Sequence, residues 1–520
     1  MTKSIKYPIG QQSFARIREE NCLYVDKTQY IRKIIESGGR YFFLSRPRRF
    51  GKSLFLSTLK CFFEGRRDLF KGLYIDSLEL EWTPSPVFLF DLNLLKYKGA
   101  DELGELVDDK LRGWEKEYGI VPETRNHSIR FSRLLEAAYR QTGRQVVILV
   151  DEYDKPLVNN LHDRERFEAY RDELAELYSN FKSSAEYIRL VFMTGVSRFG
   201  KLSVFSGLNN IKDISFSDEF AAICGITEEE LYANFRDGIE ALAEKQGIGV
   251  DEEKTHLKKW YDGYHFTAEC PDIYNPFSLL NAMEDLKFGN YWIESGTPSL
   301  LVEQLKKEKS ELGSLVDSRV TERRLSGLDI ENTDIVSLFY QTGYLTIKGF
   351  DERRGLYQLG LPNDEVTEGF YDYVLPYYVN MHGKETRVLI YDILDALDAG
   401  DVDQFMNILT SLFAGFSYDM NISAESDVRN ALCIIFRLLG MHAEVEYRTS
   451  DGRIDILVGT RRFVYIIELK YDRSSEEALA QIKRKEYQLA FAQGDRKVIG
   501  IGINFSSDKR RIDDWLAERL

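Results

Sequence analysis

The chain has 520 residues, 43% apolar and 29% charged, a composition that excludes disorder and a length beyond the ~250 to 300 residues that one core serves, so several folded domains are expected. Its net charge of −15 excludes a uniformly basic nucleic-acid binder, yet residues 1–60 sum to +9 and residues 441–520 to +1, which leaves the middle strongly acidic. Cys22, Cys61, Cys224, Cys270 and Cys433 never form a CxxC pair and the six histidines do not cluster, which excludes a disulfide framework and a zinc site and leaves a hard cation on oxygen ligands as the metal to expect.

The N-terminal stretch MTKSIKYPIG has no apolar core of a leader, and the longest apolar runs fall far short of the ~20 residues of a membrane span. A cytoplasmic location without membrane contact is expected. Short apolar runs then alternate with helical stretches: Tyr41–Leu44, Val87–Phe90, Val146–Val150 and Tyr187–Met193. That alternation predicts a parallel sheet covered on both faces, within a domain of residues 1–224. Residues 225–380 turn helical and acidic, then give a helix-plus-hairpin pattern around IVSLFYQTGYLTIKG; a helical lid followed by a winged-helix-like unit is expected. Residues 381–415 read as a helical connector and 416–520 as a separate α/β domain.

The first run leads into SRPRRFGKSLFLS, where the loop ends in Gly51, Lys52 and Ser53 as in the P-loop pattern GxxxxGK[ST]. Gly51 lets backbone N–H groups close on phosphate, Lys52 reaches its oxygens, and Ser53 places a hydroxyl on Mg²⁺. The segment Arg46, Pro47, Arg48, Arg49, Phe50, Gly51, Lys52, Ser53 and Leu54 is therefore the expected ATP cradle, although Arg46 stands where the pattern has its first glycine. Further on, RQVVILVDEYDKPL ends a strand in Asp151 and Glu152, the arrangement that puts one carboxylate on the metal and the next near the attacking water. A third strand exits into Thr194, Ser197, Arg198 and Lys201, where Arg198 would stabilise transition-state charge or simply pair with acidic neighbours.

At the other end, GRIDILV and FVYIIELKYD read as two strands joined by a polar turn, with Asp455 in the first and Glu468 and Lys470 two apart in the second. Period-two alternation puts Glu468 and Lys470 on one face, and antiparallel pairing brings Asp455 beside them. Three charges on apolar strands need compensation. Asp455 and Glu468 sharing a Mg²⁺ (or Mn²⁺), with Lys470 serving the attacking water, would supply it; so would a structural ion pair.

Together the segments YPIGQQSFARIREENCLYVDKTQYI, FLSRPRRFGKSLFLSTLKCFFEG, LVDEYDKPL, TGVSRFGKLSVFSGLNNIKDIS, KKWYDGYHF, YNPFSLLNA and YQTGYLTI resemble the bacterial AAA-ATPase-like family whose members end in a PD-(D/E)XK nuclease domain. The resemblance implies an α/β multi-domain fold: a P-loop NTPase parallel sheet, a helical and winged-helix-like middle, and a C-terminal PD-(D/E)XK nuclease-like α/β domain. It implies that ATP binds, that Arg replaces the first P-loop glycine as a rule, that Glu425 completes the metal shell, and that Gln481 is the polar residue of the following helix. Glu425 in a helix's first turn also has a plain reading, stabilisation by the dipole. Where the family often has Tyr and His after that acid, this chain has Val428 and Arg429. Lys483, Arg484, Lys485, Arg496, Lys497 and Lys509 to Arg511 are expected either to follow a nucleic-acid backbone or to form a solvated face. The expectation is an ATP-regulated, Mg²⁺-dependent nuclease acting on DNA before RNA. The rival is a nucleotide-gated switch with a non-cleaving, nuclease-shaped domain.

Overall fold

In a computed structural model the chain is described over residues 6–99, 101–161, 163–198, 204, 210–295, 318–326, 334–378, 384–414, 428, 429, 432, 436, 442–449, 452–460, 462–491, 496–509 and 511–520. It divides into two units, residues 1–295 with 319–365, and residues 296–318 with 366–520.

The first unit is built on β1 (Tyr41–Ser45), β2 (Val87–Asp91), β3 (Val146–Asp151), β4 (Ile188–Gly195) and β5 (Lys212–Asp213). The strands pair parallel in the order β2-β3-β4-β1-β5. Every residue of β1 and β3 is buried, which is why both read as continuous apolar runs rather than alternating ones. Helices Glu102–Glu117, His127–Thr142 and Arg164–Ser183 supply Leu106, Phe131, Leu134, Tyr170 and Leu174 to a core under Phe88, Phe90 and Ile148. Because all these strands run the same way, their C-terminal ends open on one crevice, where a parallel sheet binds its ligands.

The chain continues through a small ribbon of β6 (Ile226–Thr227) and β7 (Ile273–Tyr274) that encloses three helices, the first held by a reciprocal cap between Thr227 and Glu230. Leu231, Phe235, Ile239, Leu242 and Leu257 form this region's own core. Helix Ile335–Thr342 leads into the antiparallel hairpin of β9 (Thr346–Asp351) and β10 (Leu356–Gly360), with β8 (Arg319–Val320) on the outer edge of β10. The helix-then-hairpin order read from IVSLFYQTGYLTIKG is thus present.

The second unit carries helices Lys384–Ala399 and Val402–Ala414, then a five-stranded mixed sheet of β11 (His442–Thr449), β12 (Gly452–Gly459), β13 (Phe463–Tyr471), β14 (Lys497–Ser506) and β15 (Arg511–Arg519) in sequential order. β13 and β14 are parallel and joined across the sheet by helix Ser475–Arg484, and the remaining pairs are antiparallel. Among the described residues no helix is long and apolar enough to cross a membrane.

Candidate functional sites

β1 ends at Ser45, and the loop Arg46–Gly51 turns the chain into helix Lys52–Phe63. Two residues of this loop have left-handed backbone: Arg49 at φ 64° and Gly51 at φ 94°, where Gly51 stands as the helix N-cap. A turn of this kind at a helix start leaves the first-turn N–H groups without helical acceptors, the arrangement that suits an anion.

The side chains of that loop are placed differently from the expectation. Arg46 was expected to face phosphate; its guanidinium is instead turned inward, 2% exposed, over the ring of Phe266 at 4.1 Å. It donates to the carbonyls of Ser45 and Ser215 (both 2.9 Å), Phe220 (3.3 Å) and Ala221 (3.2 Å). An arginine in place of a glycine here is thus a strut between the loop and residues 215–221. Lys52 is 4% exposed, with Nζ donating to the carbonyls of Arg46 (3.0 Å) and Pro47 (2.9 Å), so a solvent-facing lysine is not what the fold provides. Arg48 lies over Trp292 at 4.8 Å, and the Trp292 indole donates to the Arg48 carbonyl (3.0 Å). Phe50 is buried against Tyr264 and Phe266, and its carbonyl accepts from Gly225. Ser53 and Leu54 follow in the first turn, both partly buried.

β3 brings Asp151 and Glu152 to the same end of the sheet. Thr194, at the end of β4, donates to Asp151 Oδ1 (2.5 Å) and accepts from the Glu152 N–H (3.3 Å). Glu152 has φ 52°, a left-handed conformation that a non-glycine residue keeps only when its surroundings impose it. Burial raises its carboxyl above the usual range, with Lys52 pulling the other way. Asp91, opposite Asp151 in the sheet register, is raised by burial and by its neighbour Asp151. Asp154 was not singled out from the sequence although it stands three residues after Asp151. It is buried and accepts from the N–H groups of Val196 (3.2 Å) and Ser197 (2.6 Å) and from Ser197 Oγ (2.5 Å), which fixes the loop after β4. Arg198 on that loop is buried over Phe216 and paired with Asp213 at 3.3 Å, the acidic-neighbour alternative of the two considered. Lys201 lies outside the described residues.

Beside Gly51 is an apolar cleft of about 90 Å³, lined among others by Pro8, Leu23, Val25, Leu54, Ile223 and Leu280. It adjoins the loop that ends in Gly51, and its walls are mostly apolar side chains. At its margin Lys27 is buried and held by both carboxylate oxygens of Glu230 (2.7 and 2.6 Å) and the Ala222 carbonyl (2.9 Å).

The second constellation lies on β12, β13 and helix Ser475–Arg484. The antiparallel register that sets Ile456 opposite Ile467 brings Asp455 to Glu468, and Asp455 Oδ2 accepts from the Leu469 N–H (2.9 Å). Glu468 is 2% exposed; its Oε1 accepts from Lys470 Nζ (3.2 Å) and from Gln481 Nε2. Lys470 Nζ also donates to the Leu469 carbonyl (3.1 Å), so Glu468 Oε1 and that carbonyl face one point. Gln481 arrives because Gly502, opposite Glu468 on β14, leaves room for the helix: a Cβ there would lie 2.4 Å from the Ser475 carbonyl and 2.7 Å from the Leu479 nitrogen. Burial, reinforced by Asp455, raises the Glu468 carboxyl to about 7 against the pull of Lys470.

Glu468 Oε2 is buried with no hydrogen-bond partner, and a buried carboxylate oxygen without a partner is costly. The donors around it, two carboxylates and a carbonyl, suit Mg²⁺ or Mn²⁺ rather than a softer ion. Among the described residues no third Asp, Glu, His or Cys joins them; Glu425 lies outside the described residues. Arg429, whose place in the sequence was read only as a departure from the family pattern, contacts Asp455 Oδ1 at 3.5 Å. Val428, Leu432 and Phe436, at four-residue spacing on the same stretch, are buried. Of the basic residues expected along a nucleic-acid backbone, Lys483 pairs with Glu518 and Lys509 with Asp513, both at 2.5 Å.

Comparison with known proteins finds a family model over each of the two regions. A family model described as "Predicted AAA-ATPase" matches residues 8–205, and one for the PD-(D/E)XK nuclease superfamily matches residues 423–515. A protein of Azotobacter chroococcum mcd 1, named "Uncharacterized protein in vnfD 5'region", is 36% identical over 527 residues, 99% of this chain and 99% of its own.

Proposed function

The chain belongs to the AAA-ATPase-like proteins that end in a PD-(D/E)XK nuclease domain, and we propose that it binds ATP with Mg²⁺ and uses the nucleotide state to control metal-dependent cleavage of phosphodiester bonds, DNA before RNA. The observation that carries the nuclease half is the buried, unpartnered Oε2 of Glu468 beside Asp455 and Lys470. In the first unit the main-chain N–H groups after Gly51 receive the phosphates, Ser53 and Asp151 hold the metal, and the cleft at Leu23, Val25 and Leu54 receives the base. Thr194 orients Asp151, and Glu152 stands where the attacking water is activated.

In the second unit Asp455 and Glu468 would hold the metal, which supplies a Lewis acid and a nucleophilic water when bound. Lys470, tethered to Glu468 and to the Leu469 carbonyl, keeps an ammonium beside the site of attack. There it orients the water and offsets charge on the phosphate. Gln481 fixes the orientation of the Glu468 carboxyl.

The test measures cleavage of single-stranded, duplex and RNA substrates, Mn²⁺ affinity and melting for Asp455→Asn, Glu468→Gln and Lys470→Ala. The expected outcome is loss of cleavage in all three and loss of metal binding in the two carboxylate variants, with metal binding spared in Lys470→Ala. Variants that melt early yet still cut would sink the nuclease reading. A wild type that binds Mn²⁺ and ATP but cleaves nothing would favour the nucleotide-gated switch.

A further inference from the structure

The four oxygens of the carboxylate pair are unequally committed. Asp455 Oδ2 is taken by the Leu469 N–H (2.9 Å), and Glu468 Oε1 by Lys470 (3.2 Å) and Gln481. That leaves Glu468 Oε2, which has no partner, and Asp455 Oδ1 as the oxygens able to bridge to a cation. Asp455 Oδ1 faces a guanidinium nitrogen of Arg429 at 3.5 Å, with the two side chains 12% and 13% exposed. The position a divalent ion needs on Asp455 is thus covered by a cation of the chain itself.

Charge gives the same result. Asp455 and Glu468 contribute at most two negative charges, and Arg429 and Lys470 two positive ones within contact distance of them. Among the described residues the cations thus already match the carboxylates before any metal arrives. A divalent ion entering with Arg429 still in place would create an excess of positive charge at a largely buried site, which a low local dielectric penalises.

Resting on the reading of Asp455 and Glu468 as a metal site, we propose that Arg429 is a built-in counter-ion that occupies the Asp455 side of the site in the metal-free state, so that metal loading requires its guanidinium to leave Asp455. Arg429 is then a positioning residue that lowers metal affinity. A binding-only residue for the metal would have the opposite effect. A guanidinium cannot be neutralised at working pH, so the only route to loading is displacement.

Mn²⁺ titration by calorimetry on the full chain, comparing wild type with Arg429→Gln and Arg429→Lys, tests this directly. Removing the competing charge should tighten Mn²⁺ binding by about tenfold or more, and Arg429→Lys should fall near the wild type because it restores a cation. The metal-free melting temperature should fall in Arg429→Gln, which leaves Asp455 uncompensated, and recover in the double variant with Asp455→Asn. Wild-type binding of Mn²⁺ with equal or weaker binding by Arg429→Gln would overturn the proposal while leaving the metal site standing. No Mn²⁺ binding by wild type or Arg429→Gln would overturn the metal reading and this one with it. If Arg429→Gln fails to fold, Arg429→Lys and Arg429→Met carry the same comparison.

Discussion

Arg46→Gly restores the first glycine of GxxxxGK[ST] and should nonetheless damage the ATPase unit. The substitution removes a buried guanidinium that serves the carbonyls of Ser45, Ser215, Phe220 and Ala221 and lies against Phe266. Each buried acceptor left without a donor costs about 1 to 3 kcal/mol. The Phe220 carbonyl keeps the Ile223 N–H (3.2 Å), and water can enter the space left by a side chain this large and serve some of the other three, so the net loss is taken near the low end of the sum, about 3 kcal/mol, with a further ~0.5 to 1 kcal/mol from the freedom of glycine in the unfolded chain. For a unit of this size that is a fall of roughly 5 °C in melting temperature. The assay is scanning calorimetry, read on the transition that ATP raises, since a protein of two units need not melt in one step. ATP affinity should fall as well, because the carbonyls of Arg46 and Pro47 that hold Lys52 move with the loop. Arg46→Lys should be intermediate, one ammonium being unable to span four acceptors. If Arg46→Gly melts within a degree of the wild type and binds ATP as well or better, the strut assignment is wrong and Arg46 belongs to the phosphate site.

Lys52→Ala should abolish measurable ATP binding in calorimetry and also lower the melting temperature of the ATP-free protein by a few degrees, because its Nζ holds two loop carbonyls; unchanged ATP-free melting would contradict that packing role. Glu365 is buried, accepts from the Trp292 N–H (2.6 Å) and Ser278 Oγ (3.0 Å), and burial raises its carboxyl to about 8. Its neutral form is favoured by folding, so its contribution is fully present below about pH 4.5 and is lost as pH rises through 8. Glu365→Gln should therefore match the wild type near pH 5 and exceed it at pH 9 by on the order of 4 kcal/mol, and parallel stability curves across that range would refute the shift. Gly502→Val should drive helix Ser475–Arg484 off the sheet, withdraw Gln481 from Glu468, and reduce both cleavage and the melting temperature of the second unit; wild-type values for both would show that the close approach is not required.

What could be read in the sequence was what short-range chemistry imposes. β1, β3 and β4 announced themselves as apolar runs because both faces of a parallel sheet are covered. Asp455, Glu468 and Lys470 were brought together by strand alternation and one polar turn, both local properties. Arg46 was misread for the opposite reason: its acceptors are main-chain carbonyls some 170 residues away, and a carbonyl belongs to every residue type. Arg198 was left between two roles because Asp213, its partner, lies on the short edge strand β5, which has too little apolar sequence to be recognised. Arg429 showed in the sequence only as a departure from the family pattern, because its contact with Asp455 is tertiary, made from a stretch whose Val428, Leu432 and Phe436 are buried.

These placements change where phosphate affinity must come from. The string RPRRFGK carries four cations, and summing them would predict strong non-specific attraction for any polyanion. In the folded loop Arg46 is spent on four carbonyls, Lys52 on two, and Arg48 on the face of Trp292, leaving Arg49 as the exposed one, beside the ring of Phe277. Hydrogen bonds to neutral carbonyls and a stacked ring leave each charge in place but fix its position, so in the proposed ATP site close contact with phosphate falls to the N–H groups after Gly51, to Arg49, and to Lys52 once it releases its carbonyls.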